Sequence, residues 1–345
     1  MSMRLKRLIS AALVLVAPAC FEAAAANPVE DFYKGKNLEM VVPTSPGGDY
    51  DIRGRLVARH LGRFIPGNPT IVARNMPGGL GVAAANYLAR VAPRDGTVLH
   101  AIFQNMPVLQ AIGAQGVEFD VRRFGWIGNT TNSPNVINSW HTTGIKTIQD
   151  VMTRELVVGA PGAASTSYIY PAALNALVGT KFKIVAGYPG GNDVNLAMEK
   201  GEVGGRGSNS WASWKSGHPH WLAEKKVTIL VQIGLQRAPD LPDVPLMLEL
   251  AKNDEDRQVL TFMSADMGIS RAFVTTYDVP PARLDALRSA FDKMIKDTEF
   301  MAEAEKMKMD ISPSSGLEAQ KVAESMLSMP PHIVQRAKVL FEPGK

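Results

Sequence analysis

Three short runs in this chain put small residues and hydroxyl donors where a backbone could be approached closely. They are Pro46-Gly47-Gly48, Pro77-Gly78-Gly79-Leu80-Gly81 and Ala163-Ala164-Ser165-Thr166-Ser167. Each stands between an apolar run and an amphipathic one, the position of a strand-to-helix loop. A helix start presents unpaired N–H groups and the positive end of its dipole, so such loops attract anions. Glycine lets a ligand near the backbone, and Ser or Thr adds a hydroxyl donor. The chemistry this predicts is the holding of a small anion. The same residues also make ordinary turns, and Asp49 or Asp51 serves equally as a helix cap or a ligand contact. Arg53, Arg55, Arg206 and Arg271 could answer a negative ligand. Of these, Arg206 alone lies in a glycine-rich run that turns it toward a cleft, Gly204-Gly205-Arg206-Gly207-Ser208-Asn209.

Bond-making chemistry has no comparable candidate. The chain holds no Gly-x-x-x-x-Gly-Lys, no His-Glu-x-x-His, no complete Gly-x-Gly-x-x-Gly and no Gly-x-Ser-x-Gly. His218-Pro219-His220 lacks a third metal ligand at a recognisable spacing, and its proline suits a surface turn. No catalytic residue, metal or cofactor is expected. Trp211 and Trp214, three residues apart, line a cleft or pack a core; packing is the commoner fate.

The elements that would carry these loops follow from periodicity. Residues 38–42 read as a buried strand, and a helix follows from Asp51 with Ile52, Leu56, Val57, Leu61 and Phe64 on one face. Further strands are predicted at 70–73, 97–102, 156–159, 182–185 and 227–233. Helices run through Ala84 to Val91, Tyr170 to Leu177, Val194 to Met198 and Leu284 to Ile295. Strand, glycine loop, helix and strand is the grammar of a parallel α/β sheet, and it occurs twice. Two α/β lobes with a cleft between them are the natural packing.

Length and charge narrow the class. Arg4, Lys6 and Arg7 precede a run of about a dozen mostly apolar residues, Leu8 to Ala19, too short to span a bilayer. Ala24 and Ala26 supply a small-x-small cleavage pattern, so residues 1–26 read as a signal peptide and the mature chain as a soluble periplasmic protein. The single cysteine, Cys20, leaves with it. Ala17-Pro18-Ala19-Cys20 is a poor lipid-attachment box. The counts of basic and acidic residues then fall from 37 and 33 to 34 and 32, a net charge of +2. These charges are interspersed, which argues against a nucleic-acid partner.

At the loops the sequence resembles the substrate-binding receptors of tripartite tricarboxylate transporters, the Bug proteins. The matching residues are Val41-Val42-Pro43, Pro46-Gly47-Gly48-x-x-Asp51, Arg74-Asn75-x-Pro77-Gly78, Gly81, Ala92-Pro93-x-Asp95-Gly96-Thr97 and Arg237-x-Pro239-x-Leu241-Pro242-Asp243-Val244-Pro245. The resemblance implies a Venus-flytrap fold in which residues 27–130 and 266–345 form one lobe and 131–265 the other. It implies a carboxylate ligand, permease subunits in the membrane as partners, and no chemistry of its own. By motif position the first-lobe contacts would be Thr44, Ser45, Gly47, Gly48, Asp51, Gly78, Gly79 and Gly81. Those of the second lobe would be Ala163, Ser165, Thr166, Ser167, Ser208 and Asn209, with Arg206 as an added charge partner. Arg206 and the Asn209 to Trp221 stretch depart from the common pattern, which leaves packing and a reshaped pocket as the two roles open to the tryptophans. The same domain could instead report its ligand to a membrane signalling protein, or, third, act as a periplasmic enzyme. A monomer is the default for this architecture.

Overall fold

A computed structural model describes residues 27–162 and 165–341. The signal segment and Ala163 lie outside the described residues. The run Asn37–Val42 (β1) is buried along nearly its whole length because both of its faces are covered. It pairs in parallel with Thr70–Asn75 (β2) and Val98–Ile102 (β3). The helix Asp49–Leu61 returns over this sheet, setting Leu56, Val57 and Leu61 in one core with Leu38, Met40 and Val42.

Gly125–Asn129 (β4) belongs to the same sheet, but the chain then leaves it. Asn135–Trp140 (β5), Leu156–Ala160 (β6), Phe182–Ala186 (β7), Gly205–Ser210 (β8) and Val227–Ile233 (β9) build a second sheet in the order β7-β6-β8-β5-β9. Its β6 pairs in parallel with β7 and β8, whereas β5 runs antiparallel to β8 and β9. The chain returns through residues 234–271. Ala272–Thr275 (β10) inserts antiparallel between β3 and β4, and Ser314–Ser315 (β11) closes the first sheet at β4. The architecture is therefore the expected one, two α/β lobes of a periplasmic-binding-protein fold.

Two passages connect the sheets, residues 130–134 and 234–271, and they are tied to each other. Thr130 N–H donates to the Arg271 carbonyl (3.0 Å), and Ser270 Oγ donates to the Thr131 carbonyl (2.6 Å). Asn129 Oδ1 accepts from Arg271 N–H (2.9 Å). The C-terminal helix Pro331–Phe341 packs against the helix Asp254–Ser264, and Arg336 of the former pairs with Asp256 and Glu255 of the latter. No helix of the described residues is long and apolar enough to cross a membrane.

β4, β5, β8 and β10 are strands that periodicity does not announce. β8 is Gly-Arg-Gly-Ser-Asn-Ser, without one apolar side chain. Its glycines have a packing reason: a Cβ on Gly207 would run into the Ser167 carbonyl, because β8 passes directly beneath the start of the helix Thr166–Leu177.

Candidate anion-binding cleft

The two sheets leave a cavity of about 310 Å³ between them, at the small end of the range for ligand pockets (~300–1,000 Å³). It lies beyond the carboxyl ends of β3 and β6, where open α/β sheets place ligands. One wall comes from the first sheet, with Tyr50, Phe103, Gln104 and Arg271. The facing wall has Pro161, Ser165 to Ser167, Arg206 and Ser208 to Ser210. An outer hollow continues from it toward solvent, bounded by Gly47, Gly48, Asp49, Gly190, Gly191, Asp193 and, again, Arg206 and Asn209.

The first wall is internally satisfied. Asp51 accepts from Gly47 N–H (2.9 Å), Arg55 Nε (2.9 Å) and Asn75 Nδ2 (2.8 Å), and Asn75 also donates to the Thr44 carbonyl (2.8 Å). Burial would raise the Asp51 carboxyl, but these bonds outweigh it and hold it below the usual range. Asp49 accepts from both Arg53 and Arg271, and it too is held down against burial. Arg271 also donates to the Gln104 side chain (3.2 Å) and lies over the Tyr50 ring. Asp51 is therefore a loop brace, turned away from the cavity. Ser45, Gly78 and Gly79 are exposed and line neither space. Gly81, at φ +90°, is buried directly beneath Phe103, where a Cβ would strike the ring. The loop Pro77 to Gly81 thus serves the cleft by seating Phe103. Thr44 does not line the cavity either, although its Oγ1 is buried without a partner.

The second wall is not satisfied. Ser165, Thr166 and Ser167 open a helix whose Ser165 N-cap makes no side-chain capping bond, so the first N–H groups have no partner within the helix. Ser167 Oγ donates to the Ser208 carbonyl (2.9 Å), fixing β8 against this helix start. Ser208 is 2% exposed, and its Oγ has no partner. Arg206 has no carboxylate within ion-pair distance among the described residues, and its Nε is buried and unpaired. Desolvation pulls its pKa down to about 10, so it stays a cation at neutral pH. Its guanidinium lies against Gly191, at the start of the helix Gly191–Glu199, where the dipole adds a further positive field. One bond holds it: Nη1 donates to Asn195 Oδ1 (3.2 Å). Asn195 Nδ2 then faces His218 Nε2 at 2.9 Å, which requires that nitrogen to be an unprotonated acceptor. Burial, followed by His220 and Arg206, lowers the His218 pKa and favours that form.

The tryptophans do not enter the cavity. Trp211, Trp214 and Trp221 are at most 7% exposed and form a core with Trp140 and Val136 beneath β8. Packing, the commoner fate of such residues, is their role, and they do not reshape the pocket. His218 stacks on Trp221 (centroids 4.2 Å apart) rather than standing free with His220. The cavity residues that sequence reasoning passed over are Tyr50, Phe103 and Gln104. One more buried group stands behind the first wall. Asp266 is 3% exposed, its Oδ1 is unpaired, and Gln104 Nε2 is a distant donor at 3.5 Å. Burial raises its pKa to about 7.

No family model matches the chain. A UPF0065 protein of Bordetella bronchiseptica is 24% identical over 195 residues, which are 55% of this chain and 57% of that protein. The chain thus spans little more than half the length of the curated relative it matches. Similarity in three dimensions extends further. A TctC solute-binding protein from Polaromonas aligns with a TM-score of 0.66 at 18% identity, over 88% of this chain and 99% of that one. The periplasmic binding protein BugD aligns at 0.63 and 17% identity, over 88% and 98%. MatC of Rhodopseudomonas palustris, with bound malate, aligns at 0.61 and 17%, over 89% and 99%. The fold of this chain is the fold of those binding proteins.

Proposed function

We propose that this chain is a periplasmic solute-binding protein of the Bug type, which captures a small organic anion, a carboxylate, between its lobes and delivers it to the permease subunits of a tripartite transporter. The observation that carries this is the partly buried Arg206 guanidinium, its Nε buried and unpaired and no carboxylate near it among the described residues, in a cavity that both sheets line. A buried charge with no partner is costly to the fold, and an anion entering the cleft supplies the partner. The malate held by a neighbour of the same fold supports a carboxylate as the ligand class. We divide the lobes at residues 27–130 with 266–345, and 131–265, with the paired passages at 130–134 and 270–271 as the hinge. Ligand that touches both walls binds the closed arrangement better than the open one, and the closed form is what a membrane partner would recognise. No step of chemistry is needed. The first contacts are Ser165, Thr166, Ser167, Arg206, Ser208 and Asn209, with Gly47 and Gly48 at the outer rim.

The test is thermal unfolding of the purified protein against a panel of carboxylates, amino acids and sugars. A bound anion at about a hundred times its Kd stabilises by about 2.7 kcal/mol, a shift of several degrees. Shifts confined to carboxylates, without turnover, are expected. A response to sugars alone, or consumption of any compound, would overturn the proposal.

A further inference from the structure

Four guanidinium groups lie in or near the cleft, and they are not equivalent. Arg55 pairs with Asp51, while Arg53 and Arg271 converge on Asp49. Of the four, Arg206 alone has no acid within ion-pair distance among the described residues. Asp193, also on the outer hollow, is not within ion-pair distance of it. The neighbouring donors point the same way. Ser208 Oγ is buried without a partner on the same wall, and the free N–H groups of the helix start at Thr166 and Ser167 line the same cavity. Among the described residues, the buried unpaired donors that line the cavity therefore lie on one side.

The opposite side offers something else. Tyr50 and Phe103 meet edge to face, with centroids 4.4 Å apart. The Tyr50 hydroxyl is already committed, donating to the Ser270 carbonyl (2.9 Å), and the Arg271 guanidinium covers its ring. Phe103 and, on the donor-rich wall, Pro161 complete an apolar surface for the body of a ligand. Arg271 is held by Asp49, Gln104 and the Ser270 carbonyl. A second carboxylate would have to compete with Asp49 for Arg271 or settle for the neutral Asn105 amide with no cation to balance it, and a buried charge without a counter-charge is disfavoured.

Resting on the proposal that this cleft binds carboxylates, we infer that its ligand is a monocarboxylate, with the single anionic head on Arg206 and Ser208 and an uncharged alkyl or aryl body against Tyr50, Phe103 and Pro161. Asn195 positions the Arg206 guanidinium, and neutral His218 fixes which way the Asn195 amide faces.

Matched pairs test this, because each pair differs by one carboxylate: hexanoate with adipate, and benzoate with benzene-1,4-dicarboxylate. Calorimetric titration of the purified protein at pH 7.5 should give the monoanion of a binding pair an affinity at least about tenfold above its dianion. Arg206→Met should lower the monoanion's affinity about 10- to 100-fold, and Arg206→Lys should restore part of it. Both variants should keep the wild-type circular dichroism and a cooperative unfolding transition. If a dianion binds as well as its monoanion or better, the inference fails while the carboxylate proposal stands. If Arg206→Met binds the monoanion unchanged, the head is not on Arg206. If no carboxylate of either kind binds, the underlying proposal fails, and this inference with it.

Discussion

The two walls of the cleft meet the same difficulty, buried charge, in opposite ways. On the helix Asp49–Leu61 the acids come first in the helix, and guanidiniums from Arg53, Arg55 and Arg271 close on them. Every strong donor and acceptor named there has its counterpart inside the protein. On β8 the cation is present and its acid is missing. The first wall is a finished frame that sets the loop Pro46-Gly47-Gly48 and seats the aromatic face. The second is half of an ion pair. Two walls built from the same strand–loop–helix unit thus divide the work, one holding shape and the other left open for a ligand, at the expense of stability in the empty state.

Whether a guanidinium partner is what separates a finished site from an open one can be examined most sharply at Asp266, a buried acid on the first side that has none. Burial raises its pKa from 3.8 to about 7, so it escapes its cost by holding a proton. Its contribution to stability is fully present below pH 3.8 and is lost as pH rises through 7. Asp266→Asn should therefore be nearly neutral at pH 4 and more stable than the parent at pH 9, by as much as about 4 kcal/mol. Urea unfolding at the two pH values measures it. A constant difference across the range would mean that Asp266 is ionised and paired like its neighbours.

Asp51 is the opposite case. Its carboxyl is held down by Arg55, Gly47 N–H and Asn75, so its contribution is present above the ordinary carboxylate pKa and lost as pH falls. Asp51→Ala should cost about 2 kcal/mol at pH 7, because it removes the acceptor shared by the Gly47 N–H, Arg55 and Asn75. It should weaken ligand binding only through the fold. A large loss of affinity with little loss of stability would make Asp51 a ligand contact after all.

The sequence carried the parts of this arrangement that are continuous along the chain. β1, β2, β3, β6, β7 and β9 are apolar runs that stop at turns, and Ser165 to Ser167 with Arg206 to Asn209 stand out as donors in small-residue surroundings; the fold brings them to one wall. What it did not carry depends on distant neighbours. β8 is a strand because Asn138 and Val158 flank it on either side, not because its own residues favour one. Nothing beside Arg271 in the sequence shows that Asp49, 222 residues away, occupies it. Phe103 looks like a strand end until Gly81 sets it over the cavity.

Asp49→Asn would unmake the distinction between the walls. It frees Arg271 beside the cavity while leaving the helix start and β8 as they are. A dicarboxylate then gains a second cation, and its affinity should rise about tenfold relative to the matching monocarboxylate, roughly 1.4 kcal/mol. Titration of adipate and hexanoate into the variant reads this directly. An unchanged ratio would mean that Arg271 does not face the ligand.

The smallest expected effect is the one that bears most directly on the open wall. Arg206→Met removes an unpaired cation, keeps a side chain of similar reach, and leaves Asn195 exposed to the outer hollow, where water can replace the lost donor. In the ligand-free protein the change should therefore stabilise, by about 1 kcal/mol, or a few degrees in Tm. The same substitution should cut by about half or more the further rise in Tm that a monocarboxylate gives the parent. A gain in the empty state together with a loss in the bound state is the signature of a charge kept for a ligand. If Arg206→Met instead lowers the ligand-free Tm, the guanidinium is already balanced within the protein, and β8 is as finished a wall as the helix Asp49–Leu61 that faces it.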